Sequence, residues 1–339
     1  MRLTVEHLVK NQDAVDGFLA MVEDEFTQNS IYKGHILEYQ GRQGGTYSLN
    51  YVHRRADPTI VYNTDVNNAL RKGVWGRMQR QEILRQVGAR TSFKALVYGP
   101  LGTGKSEALI TSSIIARDCG RTVIEYKPTS ADSIDELIRV VNVARRYGPS
   151  VIVIEDFDRF FSDSMPAMKL STLTNLFDGA DKTDEISILM TTNHIRNIKP
   201  EMTRAGRLTA QIEIGPLDKE AIAELLKISL GEQLREDTDF EAVWEVVKDF
   251  SPAFIKSTFE DARDFSIIDT GELNLPLGTE DLIVAAQSKM SQAKLHEEMT
   301  RKDVPVRTID DELRDMIKET LSRMAVDLNE RPAPLVPVR

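Results

Sequence analysis

Between Gly99 and Ser106 the chain reads GPLGTGKS, a run of residue types suited to holding phosphate. Gly99, Gly102 and Gly104, with Pro100, Leu101 and Thr103 between them, let the backbone bend so that successive N–H groups converge on phosphate oxygens. Lys105 supplies a cation for the outer phosphates of a nucleoside triphosphate, Ser106 supplies a hydroxyl ligand for Mg²⁺, and Glu107 extends the nucleotide-contacting run into the next helix. The context such a loop requires is present: FKALVYG reads as an apolar strand ending at Tyr98, and a helical pattern starts at Lys105. Further along, VIVIEDFD (Val151–Asp158) sets four apolar residues ahead of three acids. A strand this apolar belongs in a sheet interior, so its trailing acids emerge where α/β sheets bind ligands. By position Glu155 is the metal-side acid, sharing Mg²⁺ with Ser106, and Asp156 is the acid that orients or deprotonates the attacking water.

These side chains need a scaffold, and the pattern of the chain supplies one. From Phe93 to about residue 215, apolar strand-like runs alternate with helical segments, which implies a parallel sheet covered on both faces. Beyond Pro216 the segments around Ala221, Ala242, Phe254 and Leu282 read as helices, so a small helical domain follows. Upstream, Val5, Leu8, Val9, Val15, Phe18, Leu19 and Val22 have helical spacing. HILEYQGRQGGTYSLNYV then alternates like a hairpin turning at Gly44-Gly45. Its tyrosines, with Tyr32, suit strand packing or a binding face, and Arg54-Arg55 reads as a solvated turn. Residues 66–90 form a second helical stretch with Met78, Ile83, Leu84 and Val87 on one face. Near the end, Leu313, Met316, Ile317 and Leu321 keep helical spacing before a loose tail. The division expected is 1–65 as a small α+β N-terminal region that meets a partner, 66–216 as the α/β domain, 217–290 as a helical lid and 291–339 as helix and tail.

Composition narrows the function classes. With 53 acidic and 43 basic side chains the formal net charge is −10, a field that on average repels nucleic acid and anionic membranes. One cysteine, Cys119, excludes an internal disulfide framework. No apolar run reaches the ~18 residues of a membrane span, and the N-terminus lacks a signal-peptide pattern, so a cytoplasmic protein without a membrane partner is expected.

In their order along residues 66–290, the motifs resemble the AAA clade of the AAA+ ATPase superfamily. GPLGTGKS resembles Walker A, with Leu101 where the family usually has proline. VIVIEDFD resembles Walker B, with the order Glu155-Asp156 in place of Asp-Glu, an order similar to the branch containing the mitochondrial Rieske-protein translocase. ISILMTTNH resembles the sensor-1 strand and puts the sensor on Asn193. PEMTRAGRLTAQIEIGPLD is similar to the second region of homology, which makes Arg204 and Arg207 arginine fingers acting in the neighbouring subunit's site. The helices after Pro216 resemble the lid, with Pro252-Ala253 near the adenine and Lys256 one turn on, and Val74-Trp75-Gly76 falls where the adenine-flanking segment lies. KPTSADSID, at the pore-loop position, has neither the aromatic nor the glycine of protein-threading members.

The resemblance implies ATP and Mg²⁺ as cofactors, ATP hydrolysis, and a homo-oligomeric ring, a hexamer. Two functions stand open: a motor that remodels or translocates a protein partner met by the N-terminal region, and a nucleotide-switched, loader-like ATPase of DNA transactions. Net charge favours protein over nucleic acid. A P-loop kinase would leave Arg204, Arg207 and the lid unexplained.

Overall fold

A computed structural model describes residues 12–43, 46–129, 134–161, 165–180, 186–204, 206–273 and 275–302. Among them, seven strands form one sheet: β1 (Ile36–Gln43), β2 (Thr46–Tyr51), β3 (Lys94–Tyr98), β4 (Thr122–Tyr126), β5 (Ser150–Ile154), β6 (Ile186–Thr192) and β7 (Ala210–Glu213). Their spatial order is β2-β1-β4-β5-β6-β3-β7, and every pairing is parallel except the antiparallel β1–β2 hairpin. Before β7 run helices α1 (Gln12–Gln28), α2 (Thr64–Leu70), α3 (Gly76–Gln79), α4 (Gln81–Gln86), α5 (Lys105–Asp118), α6 (Ile134–Arg146), α7 (Ala167–Ala180) and α8 (Pro200–Thr203). After it come α9 (Lys219–Leu230), α10 (Phe240–Val247), α11 (Pro252–Thr270) and α12 (Thr279–Lys302). Residues 1–289 form one compact unit; of residues 290–339, a second unit, the described part continues α12 to Lys302. No helix among the described residues is long and apolar enough to cross a membrane.

The central strands are apolar without alternation because both faces are buried. Leu96, Ile152, Ile154, Ile188 and Met190 share one core with Leu137 and Val141 of α6 and Phe177 of α7. Their neighbours in sequence, Ala95, Val97, Val151, Val153 and Leu189, share the opposite core with Leu70 of α2 and Leu109 and Ala116 of α5. Helices α9, α10 and α11 begin at side-chain caps written into the sequence. Asp218 accepts from the Ala221 N–H, Asp239 from those of Glu241 and Ala242, and Ser251 from Phe254, with Pro252 in the first turn of α11.

The sheet reaches further upstream than the boundary at residue 65. β1 lies parallel to β4, pairing Ile36 with Val123 and Leu37 with Ile124, and both Ile36 and Leu37 are buried. The tyrosines pack mainly on one another, Tyr32 against Tyr51 at 5.6 Å and Tyr39 against Tyr47 at 5.5 Å between ring centres. Arg54 is not a solvated turn residue, for its Nη2 lies 2.6 Å from Glu125 Oε2 on β4.

Two helical faces differ from the reading by period. In α1, Phe18 and Leu19 are exposed, and Val5, Leu8 and Val9 lie outside the described residues, as do Gly44-Gly45 and the stretch with Leu313, Met316, Ile317 and Leu321. Farther on, Met78 is buried while Ile83 and Val87 are exposed. The cause is local: residues 71–75 form a π turn, and α3 ends at Arg80 with φ −115° and ψ 23°, which rotates α4 away from the line through Met78.

If the hairpin is integral to the sheet, Leu37→Ala, a truncation at a fully buried position, should lower the unfolding free energy by about 2–5 kcal/mol. Urea denaturation followed by circular dichroism checks this, and the transition should shift as one cooperative step.

Candidate functional site

Parallel register levels the strand ends. Tyr98 of β3 pairs with Thr192 of β6, Ile154 of β5 with Met190 of β6, and Tyr126 of β4 with Ile154. Gly99, Lys127, Glu155 and Asn193 therefore leave the sheet along one rim, at the C-terminal ends where such sheets bind ligands. There Lys127, Glu155 and Asn193, with loop residues 101–107, border a cleft of about 590 Å³, while Gly99 and Pro100 lie outside its lining. Its lining includes the polar Lys105, Ser106, Glu155, Asp156 and Asn193 and the apolar Ile60, Val61, Leu217, Leu225, Pro252 and Ala253.

The loop's geometry explains its glycines. At Gly99 φ is +153°, and a Cβ would fall 2.0 Å from the Ile214 carbonyl oxygen, so no side chain fits. That contact also ties the loop to the strand segment after β7, whose Ile214 N–H donates to the Tyr98 carbonyl at 2.8 Å. Thr103 Oγ1 donates to the Pro100 carbonyl at 2.9 Å, and the Ala253 N–H donates to the Gly102 carbonyl at 3.0 Å, joining the loop to α11. Leu101 is exposed at the cleft. Lys105 opens α5, is buried, and donates from Nζ to the Pro100 carbonyl. Burial pushes its pKa down to about 8, against the opposing pull of Asp156 and Asp158. Glu107 faces the cleft with Oε2 buried and without a hydrogen-bond partner.

Past β5, Asp156 takes a left-handed backbone, φ 50° and ψ 51°, which Asp tolerates better than most residues. This turn separates the directions of Glu155 and Asp156, and the next turn is pinned by Phe157 and Phe160, both buried and packed on each other at 5.6 Å. Asn193 Nδ2 lies 3.4 Å from Asp156 Oδ1, while Thr192 Oγ1 donates to Asp158 Oδ1 at 2.6 Å. The third acid is thus a strut between strand ends, outside the cleft lining.

Two cations that the sequence reading missed also sit here. Lys127 Nζ lies 3.3 Å from Glu155 Oε2 and 3.5 Å from Asp156 Oδ2, and Arg159 Nη2 lies 3.1 Å from that same Oδ2. Burial disfavours the Lys127 charge, but its hydrogen bond to Glu155 and the nearby carboxylates outweigh that, so its pKa is raised. The legible signal was a lysine directly after an apolar strand, in register with Glu155. From α11, Lys256 faces the cleft and is ion-paired with Asp57, whose pKa drops to about 2 because its bonds to Lys256 and Thr59 overcome the cost of burial. Tyr62 donates to the Gly104 carbonyl at 3.0 Å and closes over the loop.

Val74-Trp75-Gly76 does not border the cleft. Val74 is fully buried and Trp75 Nε1 donates to Ser112 of α5 at 2.8 Å, so this segment is core, and Ile60-Val61 takes the cleft position instead. Arg204 and Arg207 are likewise absent from the lining. Arg204 is exposed, and Arg207 is held at 3.5 Å from Asp178 of α7 while donating to the Glu201 carbonyl.

Ser106 and Glu155 offer oxygen ligands of the kind Mg²⁺ prefers, on the same cleft as Lys105. Among the described residues no group of three or more His, Cys, Asp or Glu side chains could hold a metal alone. The site fits an ion that completes its shell with phosphate and water.

Residues 95–216 match the ATPase family associated with various cellular activities (AAA). That stretch is similar to the family's ATPase domain and lies within a mixed α/β fold whose sheet is mostly parallel. It is 29% identical over 243 residues to a probable 26S proteasome regulatory subunit 10B of Caenorhabditis elegans, covering 65% of this chain and 59% of that one. It is 32% identical over 203 residues to a 26S proteasome regulatory subunit 10B of Dictyostelium discoideum, covering 55% and 51%. Identity to a cell division cycle protein 48 homolog of Archaeoglobus fulgidus is 27% over 245 residues, covering 68% and 33%. The chain spans about half the length of the proteasomal relatives it matches.

Phosphate binding uses the cationic form of Lys105, which the free protein holds below pH about 8. ATP affinity should be flat below that pH and fall above it, and Lys105→Arg, charged throughout, should remove the inflection. Fluorescent-nucleotide titrations from pH 6.5 to pH 9.5 read this directly; a wild-type profile without an inflection would contradict it.

Proposed function

We propose that this chain hydrolyses Mg-ATP in the cleft and that, as a cytoplasmic homo-oligomeric ring, a hexamer, it uses turnover to remodel or translocate a protein partner. The observation that carries the reading is the split between what one copy brings together and what it does not. Lys105, Ser106, Glu155, Asp156 and Asn193 share one cleft, while Arg204 and Arg207 stand outside it. A site built this way is completed by a second copy.

When bound, Mg-ATP supplies an activated phosphoryl group whose charge the metal helps to neutralise. The loop's N–H groups and Lys105 grip the phosphates, while Ile60, Val61, Leu217 and Leu225 give the base an apolar seat. Glu155 and Ser106 hold the metal side. Asp156, with Asn193 beside it, orients the attacking water and accepts its proton. As it stands Asp156 Oδ2 is ion-paired with both Lys127 and Arg159, so Lys127 must turn away before Asp156 can reach a water. Arg204 and Arg207 enter the neighbouring copy's cleft and stabilise charge developing on the transferred group.

A protein partner is favoured over nucleic acid by the net charge of −10 and by relatives named as proteasome regulatory subunits. The N-terminal region is the proposed contact, since β2 is the outer edge of the sheet and leaves Tyr47 and Tyr51 part-exposed. The order Glu155-Asp156 and a pore-loop segment without aromatic or glycine point to the Rieske-translocase branch and to a cargo gripped without a threading aromatic.

Mixing subunits tests the shared site. Arg207→Ala and Asp156→Asn chains should each be nearly inactive, and mixtures should regain measurable ATPase as intact cleft–finger pairs form. No recovery at any ratio, or a strict monomer by light scattering with a non-hydrolysable ATP analogue, would overturn the ring.

A further inference from the structure

A second groove, of about 480 Å³, is lined by Arg71, Lys72, Arg77 and Arg80 together with Gly76, Gln79 and Leu84, and by no carboxylate. It shares no lining residue with the nucleotide cleft. In a chain of net charge −10, four cations without an ion pair to any described residue are unusual company. Arg71 Nη2 reaches only the amide oxygen of Asn68 at 3.5 Å, and Arg77 Nη1 only the Arg90 carbonyl at 3.0 Å, with Arg77 Nε buried and unpaired. The nearest acid in sequence, Glu82, is occupied by Arg85 at 2.7 Å.

The backbone has been bent to gather these charges. In an uninterrupted α-helix, Lys72 and Arg77 would point about 140° apart. Residues 71–75 instead form a π turn, closed by the Gly76 N–H on the Arg71 carbonyl five residues back, which brings Lys72 and Arg77 onto one side. Arg80 follows three residues later on the next turn. The turn tolerates only glycine at 76, where a Cβ would sit 2.6 Å from the Arg71 carbonyl oxygen. It is held rigid from behind by fully buried Val74 and by the bond from Trp75 to Ser112. π turns are rare and recur at functional sites. Here the deformation gathers like charges on one side, an arrangement that costs free energy unless an anion answers it.

We propose that this groove binds a compact anion carrying two or more phosphate groups. Three of the four cations are arginines, whose planar forks match phosphate oxygens bidentately. The volume is that of a small-molecule site. No aromatic lines it for a nucleic-acid base to stack on, and one leucine is too little apolar surface for the core of a protein interface.

The test is equilibrium dialysis of the full chain against radiolabelled tripolyphosphate at 150 mM salt, with the nucleotide cleft saturated by a non-hydrolysable ATP analogue and Mg²⁺. One molecule should bind per chain. Lys72→Ala/Arg80→Ala, which alters two exposed side chains and leaves the core alone, should weaken binding at least tenfold, and Arg77→Ala should weaken it several-fold. The proposal fails if the analogue-loaded protein takes up no tripolyphosphate, or if Lys72→Ala/Arg80→Ala binds it as wild type does. It fails also if a 20-base-pair DNA duplex displaces the probe at lower concentration with a steep salt dependence, or if the substitutions change assembly size and leave anion uptake intact, which would make the groove a nucleic-acid or subunit contact.

Discussion

Ile154 of β5 is paired with Tyr126 of β4 on one side and Met190 of β6 on the other, and the positions of the site's side chains follow from that register. One residue beyond those pairs, Lys127 and Glu155 meet across adjacent strands; a little further, Asp156 faces Asn193. A slip of one residue in any pairing would turn every buried side chain to the wrong face. The register is therefore defended by both cores, and the charged rim is fixed by apolar packing that takes no part in the chemistry.

Electrostatics at the rim has an internal logic. Lys105 is buried and electron-rich neighbours are few, so its charge is held less firmly than that of a surface lysine, and a phosphate group would restore it. The acids opposite are already matched by Lys127 and Arg159. The site thus rests in a self-neutralised arrangement that an incoming polyanion and cation must reorganise. Asp57 and Lys256, both on the cleft lining, add a tie between the segment ahead of α2 and α11.

Much of this was legible in the sequence. The loop at Gly99–Ser106, the apolar strand before Glu155 and the place of Asn193 after another apolar strand are local patterns, each set by a few neighbouring residues. What escaped was long-range. Nothing local says that Ile36 and Leu37 would extend the sheet beside β4, or that Lys127 would lie against Glu155, because both depend on strand order. Ile60-Val61 carries little local signal because two apolar residues in an irregular segment have no period, and its place on the cleft depends on long-range packing. The exposed Ile83 and Val87 escaped because a period assumes an unbroken helix, and this one is interrupted by a π turn and a break at Arg80.

The central claim is that the loop at Gly99–Ser106 and Lys105 hold the phosphates of ATP. A binding isotherm with fluorescent ATP tests it most directly, comparing wild type with Lys105→Ala under conditions where both are folded. Loss of the cation should weaken binding by at least a hundredfold, equivalent to about 2.7 kcal/mol, with matched circular dichroism spectra. Equal affinity in the two proteins would contradict the account.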